Sequence, residues 1–133
     1  RPISFRLVPL NVGESPSDTR WPDNQSSKEK FLNVRAEAWW MLRRRFEKTY
    51  EHVTNGTPHP PEEMISLPDN PELIAQLSQP LWFRTETGKI KIESKEQMRR
   101  RGIKSPDHAD ALVMASYQVY QPRIQPVRVR GLA

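Results

Sequence analysis

Apolar residues along this chain fall into short blocks whose spacing changes from one block to the next. At 3–10, Ile3, Phe5 and Leu7 alternate with polar neighbours before Val8, Pro9 and Leu10 run together, the pattern of a strand entering a sheet. Residues 11–26 are rich in Gly, Pro, Ser, Asp and Asn and predict a loop. Ser26 with Glu29 supplies a capping box for the longest helix, about residues 27–50, whose apolar stripe is Phe31, Val34, Ala38, Leu42 and Phe46 with Trp39 beside it. The stretch Thr57-Pro58-His59-Pro60-Pro61 is a polyproline-like connector. Asp69 or Asn70 then caps a short helix at about 71–79, with Pro71 at its first position. Leu81–Thr85 and Lys89–Glu93 flank Glu86-Thr87-Gly88, a hairpin signal in which Gly88 supplies a left-handed turn residue. Ser94 with Gln97 opens a further helix that Gly102 closes. In the final helix, Ser105 stands as N-cap, Pro106 falls at the first helical position, and Ala109, Leu112, Val113, Ser116, Tyr117 and Tyr120 recur at helical spacing.

Composition narrows what such a chain can be. At 133 residues it holds one domain at most, and 35% hydrophobic residues with a mean hydropathy of −0.80 give little material for a self-sufficient core. Thirteen prolines take a further share out of regular structure. The net charge of +5 favours a polyanionic partner, although the same charge also serves solubility. No cysteine is present, which excludes a disulfide scaffold, a thiol nucleophile and a cysteine-based zinc site, and fits a reducing cytosol. No apolar run approaches the ~20 residues that span a bilayer, so no membrane partner is expected. Asn55-Gly56-Thr57 matches a glycosylation sequon but reads as a turn.

The candidate chemistry concentrates near the end. Asp107 and Asp110, three residues apart, project from one face near the positive end of a helix dipole, where hard oxygen ligands on a rigid element suit a divalent cation. The plain alternative is that both acids only complement the dipole. Between Lys89 and Lys104 stand seven basic residues, Lys89, Lys91, Lys95, Arg99, Arg100, Arg101 and Lys104, against Glu93 and Glu96. Such a band beside two acids would hold a DNA backbone, or it is a solvated helix face. Lys95 stands out, at a helix start next to the hairpin, where an ammonium reaches toward a phosphate. His52, His59 and His108 lack the spacing of a shared metal site. Glu37 reads more simply as a partner of Arg35 or another nearby Arg than as a ligand, and Arg43, Arg44, Arg45 and Lys48 serve the C-terminal dipole of the long helix.

Three blocks in order carry a resemblance. Asn33-Val34-Arg35-Ala36-Glu37-Ala38-Trp39-Trp40, then Pro71-Glu72-Leu73-Ile74-Ala75-Gln76-Leu77, then 89–102 followed by Ser105-Pro106-Asp107-His108-Ala109-Asp110-Ala111-Leu112, resemble the C-terminal part of the large terminase subunit of tailed bacteriophages and prophages. The blocks cover roughly residues 28–118. The resemblance implies an α/β fold: the last part of a ribonuclease H-like nuclease domain, with edge strand, long helix, hairpin and terminal helix, truncated at its N-terminus. Residues 1–120 would form that domain and 121–133 a basic, proline-containing tail.

By the same resemblance Asp107 and Asp110 are the late acids of a catalytic metal cluster holding Mg²⁺ or Mn²⁺. Asp107 lies nearer the helix mouth, Asp110 matches the related resolvase pattern, and the choice between them stays open. The parent would cut concatemeric DNA during packaging in the bacterial cytoplasm, with double-stranded DNA, a small terminase subunit and a portal protein as partners. ATP would belong to a separate motor domain, for which no Gly-rich phosphate loop is present here. The first catalytic strands are also missing, so the fragment alone is expected to be inactive and prone to self-association. A non-catalytic DNA-binding or packaging-interaction module and a degenerate prophage remnant are the alternatives.

Overall fold

A computed structural model describes residues 9–117. Residues 3–8 of the expected strand and the tail at 121–133 therefore lie outside the described residues, as does Tyr120, and Pro9 and Leu10 belong to no strand. The elements run α1 (Ser27–Lys30), α2 (Val34–Asn55), a 3-10 turn (Pro61–Glu63), α3 (Pro71–Ser78), β1 (Trp82–Arg84), β2 (Ile90–Ile92), α4 (Lys95–Arg100) and α5 (Asp107–Ser116).

The long helix expected from Ser26 onward is two helices. The Ser26–Glu29 capping box forms as the sequence predicts, but it opens only α1, and Phe31 is extended at φ −119° and ψ 146°. The chain leaves the helix there because Phe31 is fully buried and bridges to Ile90, while the Leu32 amide donates to the Ile90 carbonyl at 2.9 Å. Asn33 restarts the helix by accepting from the Ala36 amide at 3.0 Å. α2 then runs past the predicted end to Gly56, whose φ of 67° provides the left-handed C-cap within the sequon-like turn. Phe46, placed on the apolar stripe by spacing, is exposed, because the packed part of α2 ends near Leu42.

The hairpin follows its turn signal. Trp82 pairs with Ile92 and Arg84 with Ile90, and Gly88 takes φ 82° as the turn requires. Ile90 and Ile92 point inward, joining Phe31 and Ala36 in one buried cluster against Trp21, Trp39 and Trp40. A second cluster, Ala38, Leu42 and Val113, fastens α2 to α5 with Ile65, Leu77, Leu112 and Tyr117 around it. Trp39 borders both clusters, whereas Trp40 meets Trp82 edge-on at 5.1 Å and carries Arg43 over its face at 4.5 Å. Asn70, rather than Asp69, caps α3.

The start of α5 departs from its expected capping. Pro106, not Ser105, occupies the N-cap position, and no side chain of the segment caps the helix. The Ser105 hydroxyl is committed elsewhere, donating to Asp107 Oδ1 at 2.7 Å. Gln76 of α3 supplies the cap from 32 residues away: its Oε1 accepts from the amides of His108 at 2.9 Å and Ala109 at 3.1 Å.

Candidate metal and nucleic-acid site

Helix α5 packs on α2 and α3, with its first turn beside Lys95 of α4, and the two aspartates differ in exposure. The Asp107 side chain is 76% exposed, whereas that of Asp110 is 10% exposed and held in the interior. Arg35, in the first turn of α2, donates to Asp110 Oδ1 at 3.0 Å and to the Glu93 carbonyl at 3.4 Å. Lys95, at the start of α4, stands 3.3 Å from Asp110 Oδ2 and 3.6 Å from Asp107 Oδ1. The two acids are thus close enough to share one cation, and here that cation is an ammonium. The Ser105 hydroxyl, with help from the charge of Lys95, holds the Asp107 carboxyl below the ordinary aspartate range.

Asp110 Oδ2 is buried and accepts no hydrogen bond, and the Lys95 ammonium forms an ion pair with it at 3.3 Å. A buried carboxylate oxygen with an unused lone pair fits one ligand of a hard divalent cation, with Asp107 beside it as a second. Among the described residues, no group of three or more acidic, histidine or cysteine side chains converges to hold a metal. The described residues bring two acidic side chains, Asp107 and Asp110, together around Lys95.

Glu37 takes a different role from the one its spacing suggests. It is fully buried and does not pair with Arg35; its carboxylate accepts from the Ser17 amide at 2.8 Å, the Ser17 hydroxyl and the Tyr117 hydroxyl at 3.1 Å. These bonds tie the 15–19 loop and the end of α5 to α2. Burial, reinforced by the Glu37 charge, pushes the Tyr117 phenol well above its ordinary value, so it remains a donor.

The basic band divides into committed and uncommitted cations. Arg101 forks onto the buried Glu93 carboxylate at 2.6 and 2.7 Å, locking α4 to the hairpin and holding Glu93 below the ordinary glutamate range. Arg100 pairs with Glu96 at 2.7 Å on the helix surface, and Lys91 lies over the Phe83 ring at 5.6 Å. Lys89 is half-buried on the hairpin. Arg99 and Lys104 are exposed and carry no side-chain hydrogen bond or ion pair to any described residue. The histidines are dispersed as the spacing requires: His52 bonds the Thr57 carbonyl, His59 meets Glu51, and the exposed His108 lies 3.9 Å from Glu72. Arg35, Gln76 and Glu93 are the residues that spacing missed. All three stand within the resembling blocks, but no spacing marked them as partners of the acids.

No family model matches this sequence, and no curated protein is a significant sequence match. Solved structures do match. The nuclease domain of the large terminase subunit gp2 of bacterial virus Sf6 is 28% identical, with a TM-score of 0.76 over 84% of this chain and 53% of that one. A K428A mutant of the same domain with manganese is 29% identical, with a TM-score of 0.75 over 83% and 53%. The K428A mutant with calcium is 29% identical, with a TM-score of 0.74 over 83% and 52%. The chain spans about half the length of these nuclease domains, and its fold is that of part of a phage terminase nuclease domain, ribonuclease H-like in plan.

Proposed function

We propose that this chain is the part of a large-terminase nuclease domain that carries the last-helix acids of a metal-dependent endonuclease acting on double-stranded DNA during packaging. The observation that supports this most is the buried Asp110 Oδ2, which accepts no hydrogen bond and faces Lys95 beside Asp107 within a terminase-nuclease fold. Asp110 would be the principal ligand and Asp107 the accessory one. When bound, Mg²⁺ or Mn²⁺ would supply an activated water and stabilise the leaving oxygen. Manganese and calcium occur in structures of the Sf6 domain, which agrees with that donor chemistry. Arg35 fixes the Asp110 carboxylate from behind, Gln76 fixes the helix turn that presents it, and Lys95 offers a mobile charge to a phosphate. Lys89, Lys91, Lys95, Arg99 and Lys104 would face the DNA, whereas Arg100 and Arg101 serve ion pairs within the fold. In the whole protein a small terminase subunit and a portal protein would be partners, and the terminase acts in the bacterial cytoplasm.

One observation favours a binding-only module: Arg35 and Lys95 already neutralise Asp110. The discriminating experiment extends the chain to a whole nuclease domain and assays plasmid cleavage with Mn²⁺. Loss of cleavage in Asp110→Ala, with binding to duplex DNA kept, supports the nuclease; unchanged cleavage rejects it.

A further inference from the structure

The α4–α5 connection forms a cleft that no acid lines. α4 is closed by amides bonding back onto it, Gly102 to the Arg99 carbonyl at 2.9 Å and Ile103 to the Met98 carbonyl at 3.0 Å. Gly102 makes this reversal possible at φ 77°, and the fully buried Met98 anchors the turn. The reversal brings Lys95, Arg99 and Lys104 around one open space of about 400 Å³, completed by Gly102, Ile103 and Ser105. Lys95 leans toward Asp107 and Asp110, but Arg99 and Lys104 have no side-chain partner among the described residues. Ser105, at the edge of the same cleft, donates its hydroxyl to Asp107, so the cleft and the acid pair share a wall.

Uncommitted cations converging on a space without acids fit an anion, and their position beside the acids specifies which one. We propose that this cleft seats a backbone phosphate of the duplex, next to the phosphate presented to Asp107 and Asp110, with Arg99 and Lys104 as its two direct contacts. The proposal rests on the nuclease reading for the identity of the ligand. It also resolves the basic band of seven residues into a two-residue phosphate seat, since Arg100 and Arg101 are held in ion pairs and Lys89 and Lys91 lie on the hairpin.

The test is binding of the full 133-residue chain to a fluorescein-labelled DNA duplex, with a chelator present so that no metal contributes, over a range of salt concentrations. The expected result is that Arg99→Ala/Lys104→Ala weakens binding and makes the slope of log K against log salt shallower by about 2, one for each lost phosphate contact. Lys28→Ala/Arg43→Ala, which removes the same charge elsewhere, leaves the slope near that of the parent. Arg99→Lys/Lys104→Arg keeps it, which separates lost contact from lost folding. An unchanged slope in the alanine pair, an equal loss in the Lys28/Arg43 pair, or absence of duplex binding by the parent chain overturns the seat. The nuclease reading survives each of those results, because it is read separately as Mn²⁺ binding that depends on Asp110 without DNA.

Discussion

Arg35 Nη1 and Asp110 Oδ1, 75 residues apart in sequence, meet at 3.0 Å and join the first turns of α2 and α5. Both side chains are largely withdrawn from water, 15% and 10% exposed, so each depends on the other for its solvation. Removing the guanidinium leaves a buried carboxylate with only Lys95 nearby. Arg35→Ala is expected to lower stability by roughly 2–4 kcal/mol, below the largest costs of breaking a buried pair because Lys95 remains. In a urea-denaturation cycle with Asp110→Asn, the double variant should lose less than the sum, with a coupling of about 1–3 kcal/mol. Strict additivity would mean that the two residues do not support one another.

Gln76 makes a narrower prediction. Its Oε1 satisfies two amides at the mouth of α5 that the local sequence leaves open. Gln76→Ala should cost about 1 kcal/mol, typical of a lost N-cap, and speed amide exchange selectively at His108 and Ala109. Gln76→Glu keeps an acceptor and adds a favourable charge at the helix N-terminus, so it should protect both amides at neutral pH. Equal exchange in all three proteins would show that the cap is not formed.

The contrast between Gln76 and Ser105 shows where sequence reading succeeds. Local signals were legible: the Ser26–Glu29 and Ser94–Gln97 boxes, the Gly88 turn, the Gly102 closure and the helix carrying Asp107 and Asp110 all form. Each is decided by residues three or four positions apart. The break at Phe31 was not legible, because burial against Ile90, 59 positions later, outweighs continuation of the helix. Spacing placed both aspartates on one face but could not say that one would be buried and the other exposed, nor that Arg35 would turn to Asp110 instead of Glu37. Those outcomes depend on which distant element packs over the helix. The overall fold was accessible through the ordered blocks, and the solved Sf6 structures match it.

The Glu93–Arg101 fork predicts an acid limb to the stability curve. Because its folded-state pKa is lowered, Glu93 contributes stability that is present above the ordinary glutamate value of about 4.3 and disappears as pH falls through the lower folded value. Thermal melts should lose this contribution below about pH 4.3. Glu93→Gln should lower the melting temperature at pH 7 and flatten that acid decline. Arg101→Ala should also lower the melting temperature at neutral pH, because it removes the charge-assisted bonds to the buried Glu93 carboxylate. A melt as steep below pH 4 in Glu93→Gln as in the parent would assign the acid limb to other groups.

Lys95 occupies the position between the aspartates that a cation would take. Lys95→Ala should therefore tighten Mn²⁺ binding by roughly tenfold, equivalent to about 1.4 kcal/mol, measured by titration without DNA. Weaker binding in that variant would mean that the ammonium orders the site instead of competing with the metal.

The proposed metal role requires Asp110 to present its buried Oδ2 to a divalent cation in place of Lys95. Paramagnetic line broadening by Mn²⁺ in the amide spectrum of this chain tests it most directly, because it registers weak binding at an incomplete ligand set. Selective broadening is expected at Lys95 and at residues 107–111, abolished by Asp110→Ala and reduced by Asp107→Ala. Broadening elsewhere, or broadening at that helix turn that persists without the Asp110 carboxylate, would contradict it.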